Sequence, residues 1–309
     1  MLEMAEIRCQ GVDKHFGSLK ALRGVTFEVK ERTCIGFLGP NGAGKTTTIK
    51  ILAGLARPNR GEVEVAGVNV ANSPEKVRPY IGYLPQAPAF YNWMSGAEYL
   101  EFCAGLFKLS RKETAKRVGE LLERVGLTEA AHRRIGGYSG GMKQRLGIAQ
   151  ALINKPQVLF LDEPVSALDP IGRHEVLQLI REMKRETTVF FSTHVLNDAD
   201  QICDEVIILQ QGEVKLQATL EELQERYAAP VFEIDIDQDS SLSLSSLQTQ
   251  PWYQSHRITG SVLTVVVKDV KTAKSELPRL LVEQGTVFTR YQMQSPNLEQ
   301  VFLQVVNNQ

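Results

Sequence analysis

The chain has 309 residues, 43% of them hydrophobic and 23% charged, and a formal net charge of -1. That is the balance of an ordinary globular protein with room for one large domain and a small one, and it gives no global reason to bind nucleic acid. No apolar run approaches the ~20 residues that span a bilayer, and the first residues have neither a basic start nor an apolar signal core; the chain is expected in the cytosol, reaching any membrane only through a partner.

Residues 5–30 read as strands with a turn, Ile7-Arg8-Cys9 and Val25 to Val29 alternating well enough for an antiparallel pair. Between them lies Lys14-His15-Phe16-Gly17. Phe16 alone reads first as a core aromatic, but just ahead of a phosphate loop it can also stack on an adenine. That loop is Gly39-Pro40-Asn41-Gly42-Ala43-Gly44-Lys45-Thr46-Thr47, which fits G-x-x-x-x-G-K-[ST]. Its flanks are right: the short apolar Cys34 to Leu38 before it, and a run that can open a helix after it. The glycines let backbone N–H groups close on phosphate oxygens, and the helix start adds its positive dipole end. Lys45 supplies a point charge for the β- and γ-phosphates. Thr46 can ligate Mg²⁺, and Thr47 can add a phosphate hydrogen bond.

Pro58 to Gly61 is a turn, Glu62 to Gly67 alternates as a strand, and Ile81 to Gln86 is a short strand ending in a polar residue. Residues 87–155 then change character, with aromatics and helix formers throughout, as a helical insertion between two strands of one sheet would show. Phe90, Tyr91 and Trp93 at its start read equally as core packing and as a dock for a cytoplasmic helix of a membrane partner. The insertion ends in Tyr138-Ser139-Gly140-Gly141-Met142. Met142, Leu146, Ala149 and Ile153 follow at helical spacing, and the helix must stop before Pro156. Ser139-Gly140-Gly141 therefore opens a helix, either as a plain N-cap or as a second anion cradle.

Val158 to Leu161 suits a parallel strand covered on both faces, with Asp162 and Glu163 at its carboxyl end, where open α/β sheets bind ligands. Asp162 can hold Mg²⁺ and Glu163 can orient or deprotonate a water; the bland alternative is a pair of acids at a strand exit. Asp169-Pro170 reads as an N-cap and first helical residue. Thr188 to His194 is a buried strand with His194 at its end, where a lone histidine is ordinarily structural. Val206 to Leu216 makes a hairpin, and Thr219 to Arg226 a short helix. The linker is placed at 221–230, around Ala228-Ala229-Pro230. Residues 231–309 form a small α+β module: strands at 231–237, 262–267 and 287–293, a helix at 272–284, and a last helix opened by Ser295-Pro296-Asn297 with Leu298, Val301, Phe302 and Val305 on one face. Cys9, Cys34, Cys103 and Cys203 are scattered and read as reduced, mostly buried thiols rather than a metal site.

The order phosphate loop, Gln86, Ser139-Gly140-Gly141, Asp162-Glu163, Asp169, His194 resembles the ATP-binding cassette family over about residues 5–220. Tyr138 to Met142 is similar to the family's signature sequence, with Tyr138 and Met142 in place of the common Leu and Gln, and Phe16 in place of the more usual Tyr. The resemblance implies an α/β phosphate-loop ATPase core with a mixed sheet and an inserted helical subdomain. Two cassettes would close head to tail around two ATP molecules. Phe16 would stack on adenine, and Gln86 would contact Mg²⁺ and water. Asp162 would bind Mg²⁺ through water, Glu163 would polarise the attacking water, and His194 would hydrogen-bond the γ-phosphate. Asp169 would link the two sites. The Leu298-Glu299-Gln300-Val301-Phe302 tail resembles the ATPase subunits of bacterial exporters, often associated with drugs, antibiotics, polysaccharides or metals, so integral membrane permease subunits are the expected partners. A soluble cassette acting on nucleic acid or ribosomes is the alternative, disfavoured by a single phosphate loop and neutral charge. A small-molecule kinase would leave Ser139-Gly140-Gly141 and Glu163 unexplained.

Overall fold

The computed structural model describes residues 5–166, 168–227, 231–237, 244–293, 298 and 301–302. The chain divides into two compact units, one of the residues up to Leu220 together with Phe302, the other formed by Glu221–Val301. In the first, β1 (Ala5–Phe16) and β2 (Leu19–Lys30) pair antiparallel, with register shifts along β1 that carry it to Phe16, well past the Ile7–Cys9 segment legible by alternation. Then come β3 (Cys34–Leu38), α1 (Lys45–Leu52), β4 (Arg60–Val65), β5 (Val68–Asn69), α2 (Pro74–Val77) and β6 (Ile81–Leu84). β6 is shorter than the expected strand, and Gln86 lies exposed two residues beyond its end.

Three helices, α3 (Gly96–Leu106), α4 (Arg111–Arg124) and α5 (Gly140–Ala151), separate β6 from β7 (Val158–Asp162), its parallel neighbour; this is the expected helical insertion. Both α3 and α4 start in capping boxes, Ser95 with Glu98 and Ser110 with Glu113, which satisfy orphan N–H groups at the start of each helix. α6 (Pro170–Met183), β8 (Thr188–Thr193), α7 (Leu196–Ile202), β9 (Glu205–Gln210) and β10 (Glu213–Thr219) come next, and α8 (Leu220–Tyr227) follows as the short helix expected at Thr219 to Arg226, covering the first part of the 221–230 linker.

The first unit holds two sheets. One runs β2-β1-β4-β5 and is antiparallel; the other runs β10-β9-β3-β8-β7-β6, parallel except for the β9–β10 hairpin. Every residue of β3, β7 and β8 is buried, as continuous apolar strands covered on both faces must be. Their aromatic core carries the packing. Phe190 lies 5.0 Å from Phe37, 5.8 Å from Phe27 and 5.9 Å from Phe160, centroid to centroid. Each such ring contributes ~1.5–3 kcal/mol by burial, and ring pairs about 1 kcal/mol beyond that. Ile49 and Leu52 of α1 join the same core, so the helix that follows the phosphate loop is anchored by its apolar face.

The second unit contains β11 (Val231–Ile236), α9 (Leu244–Gln248), β12 (Tyr253–Thr259), β13 (Val262–Val267), α10 (Val270–Glu283) and β14 (Phe288–Met293), with sheet order β12-β13-β11-β14. Its core gathers Phe232, Ile234, Trp252, Leu263, Val265, Leu277 and Leu281. β12 has no counterpart in the sequence reading. Of the expected last helix, Leu298, Val301 and Phe302 are helical, and Leu298 and Val301 are buried; its other residues, like 228–230 of the linker, lie outside the described ones.

Candidate functional site

The site is built at the carboxyl ends of β3, β7 and β8. β3 delivers the loop that begins at Gly39 and ends at Gly44, the N-cap of α1. Gly44 has φ 111, a conformation open to glycine, and a Cβ there would come within 2.6 Å of Leu22 Cδ2 and 2.8 Å of Ala21 O. No acidic residue occupies the first turn of α1, so its free N–H groups and positive end remain available to an anion. Lys45 is buried and folds back along the loop, its Nζ donating to Gly39 O at 2.7 Å and to Pro40 O at 3.3 Å. The same Nζ lies 3.4 Å from Glu163 Oε1.

β7 ends in the two carboxylates. Asp162 is buried, and its Oδ1 accepts from Thr46 Oγ1 at 3.1 Å and from Ser192 Oγ at 2.7 Å. Ser192 in turn accepts from the Glu163 N–H at 3.0 Å. Glu163 takes φ 49, turning its side chain back toward the loop helix. Its Oε2 is 2.8 Å from His194 Nδ1, the distance at which an Nδ1–H tautomer donates to the carboxylate. Burial and the Asp162 charge push the neighbouring Tyr83 phenol up to about 12. Ser192 is the residue the sequence reading missed. Its only signal was a hydroxyl inside the buried strand that ends at His194.

Phe16, Asn41, Gly42, Gly44, Lys45, Thr46, Thr47, Gln86 and Glu163 line one cleft of about 470 Å³, together with Leu19 and Ala21. Gly39, Pro40 and Ala43 shape the loop from below, the Ala43 N–H donating to Pro40 O and Ala43 O accepting from Gly212. Phe16 is 54% exposed with Lys14 Nζ 5.0 Å from its ring centroid, so it is not a core residue. Asp162 reaches the cleft through Thr46, and His194, 44% exposed, through Glu163.

Ser139, Gly140, Gly141 and Asp169 are elsewhere. They line a separate cleft of about 330 Å³ with Arg145, Leu168, Ile171, Gly172 and Glu175. Ser139 caps α5, its Oγ accepting from the Met142 N–H at 3.2 Å, and Asp169 caps α6, its Oδ1 accepting from the Gly172 N–H at 3.0 Å. The ion pair Arg145–Glu175, 2.7 Å, joins the two helices. Arg173 of α6 also forms a two-pronged contact with buried Asp198 of α7, at 2.8 and 2.6 Å. The chain thus carries a phosphate loop facing Glu163 in one cleft, with Asp162 joined to it through Thr46, and a glycine-flanked helix start in another.

A loop of this form, on a parallel sheet with a helical insertion ahead of the strand that ends in two carboxylates, defines a nucleoside-triphosphate-hydrolysing cassette. The sequence profile of the family described as ABC transporter matches residues 22–166. The uncharacterized ABC transporter ATP-binding protein YxlF of Bacillus subtilis (strain 168) is 44% identical, over 95% of this chain and 97% of its own. The daunorubicin resistance ATP-binding protein DrrA3 of Streptomyces coeruleorubidus is 34% identical, over 98% and 96%. The ATP-binding cassette MJ0796, solved as a dimer in a post-hydrolysis state with ADP and Pi, superposes with a TM-score of 0.63 at 29% identity, over 69% of this chain and 98% of that one. The chain belongs to the ABC transporter family, as an ATP-binding subunit with ATPase activity. Among the described residues no helix is long and apolar enough to cross a membrane.

Proposed function

We propose that the chain powers an exporter by closing head to tail with a second copy around two ATP molecules. The observation that carries this reading is the division of the machinery. The phosphate loop, Gln86 and Glu163 share one cleft, while Ser139, Gly140, Gly141 and Asp169 line another. One copy's second cleft would complete the other copy's first. Phe16 would hold the adenine by stacking, and Lys45 would exchange its contacts with Gly39, Pro40 and Glu163 for phosphate oxygens. Glu163, buried and oriented by His194, would take the proton of the attacking water. His194 and Gln86 would meet the γ-phosphate and the water, and Asp169 would join the two sites.

Thr46 and Asp162 fit Mg²⁺, a hydroxyl and a carboxylate oxygen 3.1 Å apart. Mg²⁺ keeps several waters and needs few protein oxygens beside the phosphates. When bound it would neutralise charge developing on the phosphate oxygens.

The membrane part would be separate integral permease subunits, holding this chain on the cytoplasmic face. Trp93 and Tyr91, 69% and 50% exposed beside Phe102, offer an apolar surface to such a partner. Half-buried Phe90 packs edge-on to Tyr99 at 5.2 Å instead and belongs to the fold. The daunorubicin-resistance relative supports export as the direction. The test is to purify the tagged chain from membranes with Mg-ATP. An integral membrane protein should copurify and stimulate ATP hydrolysis, and Lys45→Ala should abolish nucleotide binding. A chain that hydrolyses ATP only as a separated monomer would refute the dimer.

A further inference from the structure

The signature segment departs from the common family pattern at Tyr138, and the structure gives that tyrosine a contact a leucine could not make. Tyr138 is buried, and its hydroxyl donates to Ala130 O at 2.7 Å. The phenol oxygen also fills the space over Gly96, the first residue of α3, so that a methyl there would collide with it. The backbone around it is zipped. Gly136 N donates to Asn92 O at 3.0 Å, Ile135 N to Met94 O at 2.9 Å and Ala97 N to Ala131 O at 2.9 Å, with an antiparallel bridge between Ser95 and Arg134. One side of this clasp is the Asn92–Ala97 stretch, which includes exposed Trp93. The other runs directly into Ser139.

We propose that the Tyr138 hydroxyl is a positioning group, a latch that fixes Ser139 relative to Ala130 and to the start of α3 at Gly96 and so sets the geometry of the signature end during ATP hydrolysis. The proposal rests on the reading above that Ser139 completes the ATP site of a second copy. Three features make the latch stiff. The capping box of Ser95 and Glu98 holds the α3 start, with Glu98 Oε2 accepting from Ser95 N at 2.7 Å. The glycine at 96 lets the phenol approach the backbone. Tyr138 immediately precedes Ser139, so holding the Tyr138 side chain in place limits the shift of its backbone and of Ser139 at the helix start.

The test compares wild-type chain with Tyr138→Phe, Gly96→Ala, the double variant and Ser139→Ala. It measures kcat and KM for Mg-ATP, ADP affinity and thermal midpoint. Tyr138→Phe removes one oxygen and should lower kcat about tenfold, because catalysis depends steeply on the placement of reacting groups, while ADP affinity at the phosphate loop stays within about twofold. Gly96→Ala should also lower kcat. Adding Tyr138→Phe to it should cost nothing more, since the oxygen struck by the new methyl is gone. Wild-type kcat in Tyr138→Phe, even with a lower thermal midpoint, overturns the latch, as do losses that simply multiply in the double variant. Ser139→Ala separates the failures: lost turnover there with full turnover in Tyr138→Phe overturns the latch alone, and full turnover in both overturns the site reading and the latch together.

Discussion

Glu163→Gln keeps the size of a buried side chain and removes its charge. The carboxylate faces Lys45 Nζ at 3.4 Å and His194 Nδ1 at 2.8 Å, so the change acts on stability and on chemistry at once. At an effective dielectric constant near 20, unit charges at the Lys45 separation attract by roughly 5 kcal/mol. Removing the carboxylate charge leaves Lys45 a buried cation without its anion, which should cost about 3–5 kcal/mol in folding stability. The loss of a general base is of similar size on the barrier, about 10²–10⁴ in rate, or ~3–5 kcal/mol. The phosphate loop is untouched, and Lys45 is freed of one competing anion, so ATP affinity should hold or rise slightly. Single-turnover hydrolysis, ATP binding and size-exclusion chromatography with Mg-ATP read the three effects separately. The expected pattern is strongly slowed hydrolysis, retained binding and an accumulated ATP-bound dimer. Hydrolysis near the wild-type rate would remove Glu163 from the chemistry. A fall in hydrolysis matched by an equal fall in ATP binding would make it a brace for Lys45 instead.

Trp93→Glu or Tyr91→Glu should change folding stability by no more than about 0.5 kcal/mol, because both rings are exposed; transport by the assembled system should fail while ATPase activity of the free chain persists, and lost nucleotide binding would show the rings to be structural. Arg173→Ala leaves the Asp198 carboxylate, 1% exposed, without its two-pronged partner, and should cost about 3 kcal/mol in a denaturant titration, with Arg173→Lys recovering part of it. Glu98 and Glu113 are held below the ordinary glutamate value of 4.5 by hydrogen bonds within their capping boxes, chiefly from the Ser95 backbone for Glu98 and the Ser110 side chain for Glu113. Lowered carboxyl values stabilise the folded state above the unfolded pKa, and this contribution is lost as pH falls through the folded values. Glu98→Gln and Glu113→Gln should therefore flatten the loss of stability below pH 4.5 relative to wild type, seen by circular dichroism, and leave the neutral-pH slope unchanged.

Local pattern explains which elements were legible. The strands of the parallel sheet are apolar throughout because both faces are covered, so Cys34 to Leu38 and Val158 to Leu161 stand out by composition alone. The loop between Gly39 and Thr47 is defined by residues whose backbone needs are local. Asp169-Pro170 carries its own capping chemistry, and the structure shows that cap. β12 is the opposite case. Among the described residues it is an edge strand paired only with β13, and Gln254, Ser255 and Arg257 along it are exposed, so no apolar alternation marks it. The register shifts that carry β1 to Phe16 are likewise invisible in the sequence, because they depend on the partner strands.

The sequence by itself determined the chemistry available: a loop whose glycines admit phosphate, a lysine beside it, two acids at a strand end, and a second glycine-flanked helix start. Tertiary structure decided which of these meet. Strand order places β8 beside β7 and β3, so residues far apart in the chain, Lys45, Glu163, Ser192 and His194, come within hydrogen-bonding reach of one another or of a shared neighbour. The same folding holds Ser139 and Asp169 in a different cleft, and it turns Phe16 and Trp93 outward although their composition would allow burial. Hydrophobicity and backbone conformation are properties of a residue and its near neighbours, and so can be read along a chain. Proximity across a sheet depends on how distant strands pair, and that is settled only when the whole core packs.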